Sequence, residues 1–175
     1  NAMKRVAIIL LVIIFSSGCE KNVSPRMPGR NVEFYLITDF QKQGLSSKII
    51  NSTVKLSDSV IIYYDDIISY DQDNYTFTLT KGCSNKFTLD DNYKIHGMPF
   101  AVTIDKEIVY TGYFWYSFSS SIVDWITIDP LFLSMNNTMR VSLGYPGLIQ
   151  GDYIPDNRND QRILDRLRRD GKLIR

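Results

Sequence analysis

Two cysteines and one histidine are all that this chain of 175 residues offers among the side chains that most often hold metals or pair as nucleophile and base. A zinc centre needs three or four well-placed ligands, and the sequence contains neither H-E-x-x-H nor paired C-x-x-C. The lone His96 would have to serve as the base of any serine triad, and no G-x-S-x-G elbow accompanies it. It sits beside Gly97 and Pro99 and is expected to be a loop residue with a structural hydrogen bond. Glycine is sparse and never forms a phosphate loop: Gly144, Gly147 and Gly151 have the wrong spacing and no following lysine. A net charge of +1 argues against nucleic acid as a partner. No catalytic residue, metal or cofactor is therefore expected.

Carboxylates are present but scattered, at Asp65-Asp66, Asp71 and Asp73, and Asp90-Asp91. Asp71-Gln72-Asp73 resembles the opening of a calcium loop. It departs at the fifth position, Tyr75, and at the twelfth, Gly82, where a bidentate Glu is needed. These acids are expected to be turn and cap residues. A hydrolase that assembles distant carboxylates, or uses His96, stands as the alternative reading.

Long apolar runs are missing too, apart from residues 6–15 (VAIILLVIIF). A helix of that length spans about 15 Å, roughly half a bilayer's hydrocarbon core. With Lys4-Arg5 before it, it reads as the core of a signal peptide. Asn1-Ala2 before Met3 reads as a cloning remnant. Ser16-Ser17-Gly18-Cys19 closes the run and resembles the lipobox of bacterial lipoproteins, with Ser16 where Leu is usual. The expected organisation is a remnant and signal over 1–18, lipidated Cys19 and a flexible Pro- and Gly-containing tether over 19–30, and one domain over 31–175. The membrane would then be a partner through the lipid on Cys19. The expected location is the cell envelope outside the cytoplasm, periplasmic or at the cell surface. Cys83 would have no partner within the chain, so the domain would fold without a disulfide, and Cys83 is expected to be a small half-buried residue rather than a nucleophile.

What the chain does have is aromatic and β-branched residues in short runs. Strands are expected over 32–38, 59–64, 75–80, 100–105, 108–118, 123–128 and 138–143. In 75–80 the pattern places Tyr75, Phe77 and Leu79 on one face. A further extended piece lies near 49–56, and 105–107 reads as a hairpin turn. Asp65-Asp66 could cap a turn of helix at 67–70, and Thr80 a helix through 87. A C-terminal helix is expected from a cap at Asp156 or Asn157 to about Asp170, with Gly171 as its stop. Ile163, Leu164 and Leu167 would form its apolar stripe, and Asp165 and Arg169 an i,i+4 pair. The fold class is α+β: a single domain with a largely antiparallel sheet and few helices.

The densest stretch is 110–121, YTGYFWYSFSSS. Strand alternation assigns Tyr110, Phe114, Tyr116 and Phe118 to the core and puts Tyr113, Trp115, Ser117 and Ser119 on the other face. That second face is either buried under the C-terminal helix or a loop, or exposed for recognition of a partner. The tail 156–175 is basic, seven residues against four acidic, and is expected to be a solvated helix face that pairs with the protein's own acidic loops.

Three stretches together resemble an uncharacterised family of small secreted bacterial proteins and lipoproteins. They are DIISYDQDNYTFTLT (66–80), GMPFAVTIDKEIVYTGYFWYSFSSS (97–121), and LGYPG with DNRNDQRILDRLRRDGKL near the end. The resemblance implies one exported domain and brings no activity with it. Members often carry His where this chain has Tyr75, so no role tied to that His transfers. The functional expectation is a non-enzymatic domain at the cell envelope, binding an envelope protein or glycan through Tyr113, Trp115, Ser117 and Ser119. A structural subunit docking through its basic C-terminal helix is the other alternative.

Overall fold

The computed structural model describes residues 31–87, 96–149, 151 and 153–174. The expectations for the signal, Cys19, the tether and Asp90-Asp91 lie outside the described residues. Nine strands make one sheet: β1 Val32–Asp39, β2 Lys55–Ile62, β3 Ile67–Asp71, β4 Thr76–Leu79, β5 Pro99–Ile104, β6 Glu107–Phe114, β7 Val123–Ile128, β8 Thr138–Tyr145 and β9 Leu173–Ile174. Their spatial order is β2-β1-β5-β6-β7-β8-β4-β3-β9. All neighbours are antiparallel except β6 with β7 and β3 with β9. Three short helices accompany them: α1 Lys81–Ser84, α2 Leu131–Asn136 and α3 Gln161–Arg169. The architecture is α+β and dominated by its sheet.

The sheet coils back on itself. Phe34 on β1 and Phe77 on β4 lie far apart in the strand order, yet their rings meet edge-on with centroids 5.4 Å apart. Tyr70 and Phe77 approach to 4.3 Å, and Phe100 and Phe114 to 5.1 Å. These rings fill the concave side, and Ile163, Leu164 and Leu167 of α3 are buried with them. Each large aromatic removed from water contributes roughly 1.5–3 kcal/mol, so a ring core of this kind suffices without a disulfide. Cys83 is fully buried, deeper than the half-buried position expected of it.

The opposite face of β6 and β7 carries Thr111, Tyr113 and Trp125, all buried. Segment 40–54 lies over it. Tyr113 Oη donates to the Ser47 carbonyl at 2.9 Å, Thr111 Oγ1 donates to Asn51 Oδ1 at 3.1 Å, and Ser47 N–H donates to Asp124 Oδ1 at 2.7 Å. Burial works against the Asp124 carboxylate, but hydrogen bonds from Ser46 and Ser47 outweigh it and hold its pKa below the usual range.

Several elements differ from the sequence expectation, each for a local reason. Residues 67–70 form β3 rather than a helix: Ile67 and Ile68 are β-branched, and the segment finds pairing partners in β4 and β9. Asp66 caps the preceding 3-10 turn instead, its Oδ2 accepting the Tyr63 N–H at 3.2 Å. Tyr75 stands outside β4, at φ 54°. The cap of α3 is Asp160, which accepts from the Arg162 N–H, because Asp156 is committed to Arg158. Asp165 pairs with Arg168 at 2.7 Å, while Arg169 turns to Asp170. Gly171 stops the helix as expected, at φ 68°, with Lys172 N–H reaching the Leu167 carbonyl in a Schellman turn. The chain then adds β9 beside β3.

The β6 strand ends at Phe114. Phe118 therefore leaves the sheet and is 59% exposed, not part of the core, and its ring stacks on Tyr116 at 4.8 Å. The parallel contact between β6 and β7 is confined to Tyr113↔Thr127 and Phe114↔Ile128. Just before it, a Cβ on Gly112 would stand 2.6 Å from both the Ile126 carbonyl oxygen and Phe100 Cζ. Backbone cannot yield as a flexible side-chain tip does, so Gly112→Ala is expected to cost about 3 kcal/mol and lower Tm by roughly 6–12 °C. Gly82→Ala, which meets nothing within 4 Å, is the control and should leave Tm unchanged or slightly raised. Thermal melts of both variants check this, and an unperturbed Gly112→Ala melt would refute the close-approach argument.

Candidate functional site

A groove of about 380 Å³ opens on the outer face of the sheet where the cover of segment 40–54 stops. Trp115, Ser117 and Asp129 line one side; Arg140, Ser142 and the 144–147 turn line the other. Thr127 pairs with Ser142 across β7 and β8, and strand alternation places Arg140 on the same face as Ser142.

Segment 115–122 builds the first side. Trp115 N–H still bonds the Ile128 carbonyl at 2.8 Å, after which the chain leaves the strand. Ser117 N–H then donates to Asp129 Oδ2 at 3.1 Å, and Leu131 N–H donates to Asp129 Oδ1 at 2.9 Å, so one carboxylate ties the crossover to the start of α2. The carbonyls of Ser117 and Ser119 both accept from Tyr145 Oη. Trp115 Nε1 donates to the Ser121 carbonyl at 3.2 Å, and its ring packs on His96 with centroids 4.5 Å apart.

The second side depends on a tight turn. Gly144 lies at φ 74°, and a Cβ there would come within 2.5 Å of the Gly147 carbonyl oxygen. Its own carbonyl accepts from Thr127 Oγ1 at 3.3 Å. Arg158 sits behind it, 8% exposed. Nε and Nη2 grip both oxygens of Asp156 at 2.8 and 2.7 Å, Nη1 donates to the Val141 carbonyl, and the guanidinium lies 3.5 Å from the centre of the Tyr75 ring. Hydrogen bonding from Arg158 holds Asp156 below the usual carboxylate range, against the opposing effect of burial.

Of the side chains expected to form a contact face, the fold keeps Trp115 and Ser117 together at this groove. Ser119 stands at its margin, with Oγ accepting the Ser121 N–H. Tyr113 is the correction. It is 5% exposed, covered by a loop and not by the C-terminal helix, and burial, with Asp124 as a second cause, pushes its pKa up to about 12. Sequence reasoning missed Arg140, Tyr145 and Arg158. The signal available was the G-Y-P-G turn beside an alternating strand, TMRVSL, whose one charged residue faces outward.

The scattered acids stay apart. Asp66 is buried against Tyr63 and Thr80, while Asp71 closes its own turn by accepting from the Asp73 and Asn74 N–H groups. His96 Nδ1 accepts from the Tyr116 N–H at 3.4 Å. Among the described residues no three His, Cys, Asp or Glu side chains gather to hold a metal ion. The basic helix pairs with the β5–β6 hairpin, Arg166 with Asp105 at 3.0 Å and Arg162 with Glu107 at 3.7 Å. Comparison with family models, curated proteins and solved structures finds no match to this chain.

The depressed pKa of Asp156 sets a sign for pH dependence. A carboxylate held lower when folded adds stability above its unfolded pKa, and that stability is lost as pH falls through the folded value. Wild type is therefore expected to have a higher urea midpoint than Asp156→Asn at pH 7, with the difference closing below about pH 4. A gap that stays constant from pH 7 to pH 3 would disprove the coupling.

Proposed function

We propose that this chain is an exported, lipid-anchored binding domain of the bacterial cell envelope, that it acts without catalysis, and that its ligand enters the Trp115–Arg140 groove. The observation that carries the reading is the groove itself. It gathers an indole, two serine hydroxyls and an arginine whose side chain has no ion-pair partner among the described residues. Binding sites combine such an aromatic wall with a few convergent polar groups. The lipid-anchored part rests on residues 4–19 alone.

The direction of the strands fits a tethered domain. Asn31, where the described chain begins, accepts at its carbonyl from the Asp105 N–H in the β5–β6 hairpin. Trp115 lies past the other end of β6, roughly 25 Å along the strand. A tether on the hairpin side would leave the groove facing away from the membrane.

Envelope glycans are the first ligands to offer, as soluble muropeptides and as oligosaccharides released from lipopolysaccharide. At least one of these mixtures is expected to raise the Tm of the full chain, and Trp115→Ala and the groove-blocking Ser117→Trp should each abolish the shift. Chromatography of the same mixtures is expected to show them uncleaved. A shift that survives both substitutions would move the site elsewhere, and cleaved glycan would favour the hydrolase. In a bacterial host, Cys19→Ala should transfer the protein from the membrane to the soluble fraction.

A further inference from the structure

The geometry points to an anionic saccharide as the ligand, a sugar ring against Trp115 with its acidic group on Arg140. This rests on the binding reading above and adds the charge and the residue that selects it.

The inference follows from which hydrogen-bonding groups in the groove are already committed. The one carboxylate among the described residues lining it, Asp129, has a backbone N–H on each oxygen. The Thr127 hydroxyl donates to the Gly144 carbonyl, and the Tyr145 hydroxyl is turned to the Ser117 and Ser119 carbonyls. What remains is rich in donors. Arg140 is exposed on β8, opposite Thr76, and makes no side-chain hydrogen bond or ion pair with any described residue. The Ser117 and Ser142 hydroxyls have no partner among the described residues either. Of the five N–H groups of a guanidinium, Arg158 commits three to Asp156 and Val141. The charge left without an ion-pair partner among the described residues of the groove is that of Arg140, and the unpaired hydroxyls beside it can donate, which suits a ligand rich in acceptors and negative in charge.

Shape narrows the class. The planar fork of an arginine matches a carboxylate or a phosphate with two parallel hydrogen bonds. The indole already packs against His96, which fixes its plane at low entropic cost to the ligand. A fixed ring beside hydroxyls suits the C–H face and hydroxyl edge of a sugar. A carboxylate sugar and a phosphate sugar share this chemistry.

Isothermal titration of the full chain with trigalacturonate, glucose 6-phosphate and neutral maltotriose separates the cases. At least one of the two anionic sugars is expected to bind about tenfold or more tightly than maltotriose, the scale of one charged hydrogen bond; whichever does so identifies the acid. Arg140→Gln should remove that preference, bringing the anionic sugars to within about threefold of maltotriose measured on the same variant. The exposed position of Arg140 means the fold should survive, and an unaltered Tm checks it. Trp115→Ala should weaken all three. Equal affinity for neutral and anionic sugars, or a preference that persists in Arg140→Gln, overturns the inference while leaving a glycan-binding groove intact. Absence of binding to all three sugars also overturns it. The binding reading then stands or falls separately, on whether the muropeptide or lipopolysaccharide mixtures still give a Trp115-dependent shift.

Discussion

The closeness of β6 to β7 at Gly112 is the constraint on which the rest of the molecule depends. The sheet is two largely antiparallel sets of strands joined at this parallel seam, two residue pairs long, with a second parallel pairing at the β3–β9 edge. Parallel neighbours ordinarily need a connection of a dozen or more residues, and here 115–122 makes the return. So short a link has no room for a covering helix. It stays against the sheet, and the strands diverge where the seam ends. Trp125 Nε1 spans that divergence with a hydrogen bond to Thr111 Oγ1 at 3.2 Å. The groove is bounded by the same link. Because 115–122 must cross toward the start of β7, it passes beside β8, where Tyr145 fastens it, and the unfilled space between them is the candidate groove.

Both faces of the central strands are covered, but by different means. Rings and the stripe of α3 fill the concave side, and segment 40–54 closes the convex side over Tyr113 and Trp125, with Lys42 and Lys48 lying over those rings at 5.7 and 5.6 Å. Beyond Trp125 the cover runs out, and the exposed face of β8 has to be tolerated in water. Its side chains are accordingly polar, Arg140 and Ser142. Underneath them, Arg158 shows what burying a charge requires. Desolvation of a guanidinium costs several kcal/mol, offset here by two bonds to Asp156, one to the Val141 carbonyl and the face of Tyr75. Tyr75 can offer that face because it leaves the strand at positive φ.

Local patterns in the sequence were readable wherever one interaction decided the outcome. β7 occupies the expected residues 123–128, since VDWITI is β-prone throughout and Pro130 follows. Thr80 caps α1 through the Cys83 N–H, and Ile163, Leu164 and Leu167 are the buried stripe of α3. Reading failed where two partners competed. Asp156 and Asp160 are equivalent caps by composition; Asp156 is held by Arg158, and Asp160 caps the helix. Alternation sorted 110–114 correctly and then misplaced Phe118, because nothing local in YFWYSFSSS marks where β7 ceases to be alongside. The same limit applied to the site. Trp115 and Ser117 were identifiable from their strand; Arg140 and Arg158 reach them through pairings distant in sequence.

The proposal of a binding role draws its support from how the polar groups of the groove are arranged. Acid–base hydrolysis needs two groups whose environments drive their pKa values apart within reach of one bond. Among the described residues lining the groove the one carboxylate, Asp129, accepts a backbone N–H at each oxygen. His96 has its Nδ1 occupied by a backbone N–H and its ring packed between Trp115 and Tyr116. Under the proposed binding role, fixed donors beside an immobilised ring would stabilise a ligand uniformly, which gives affinity without acceleration.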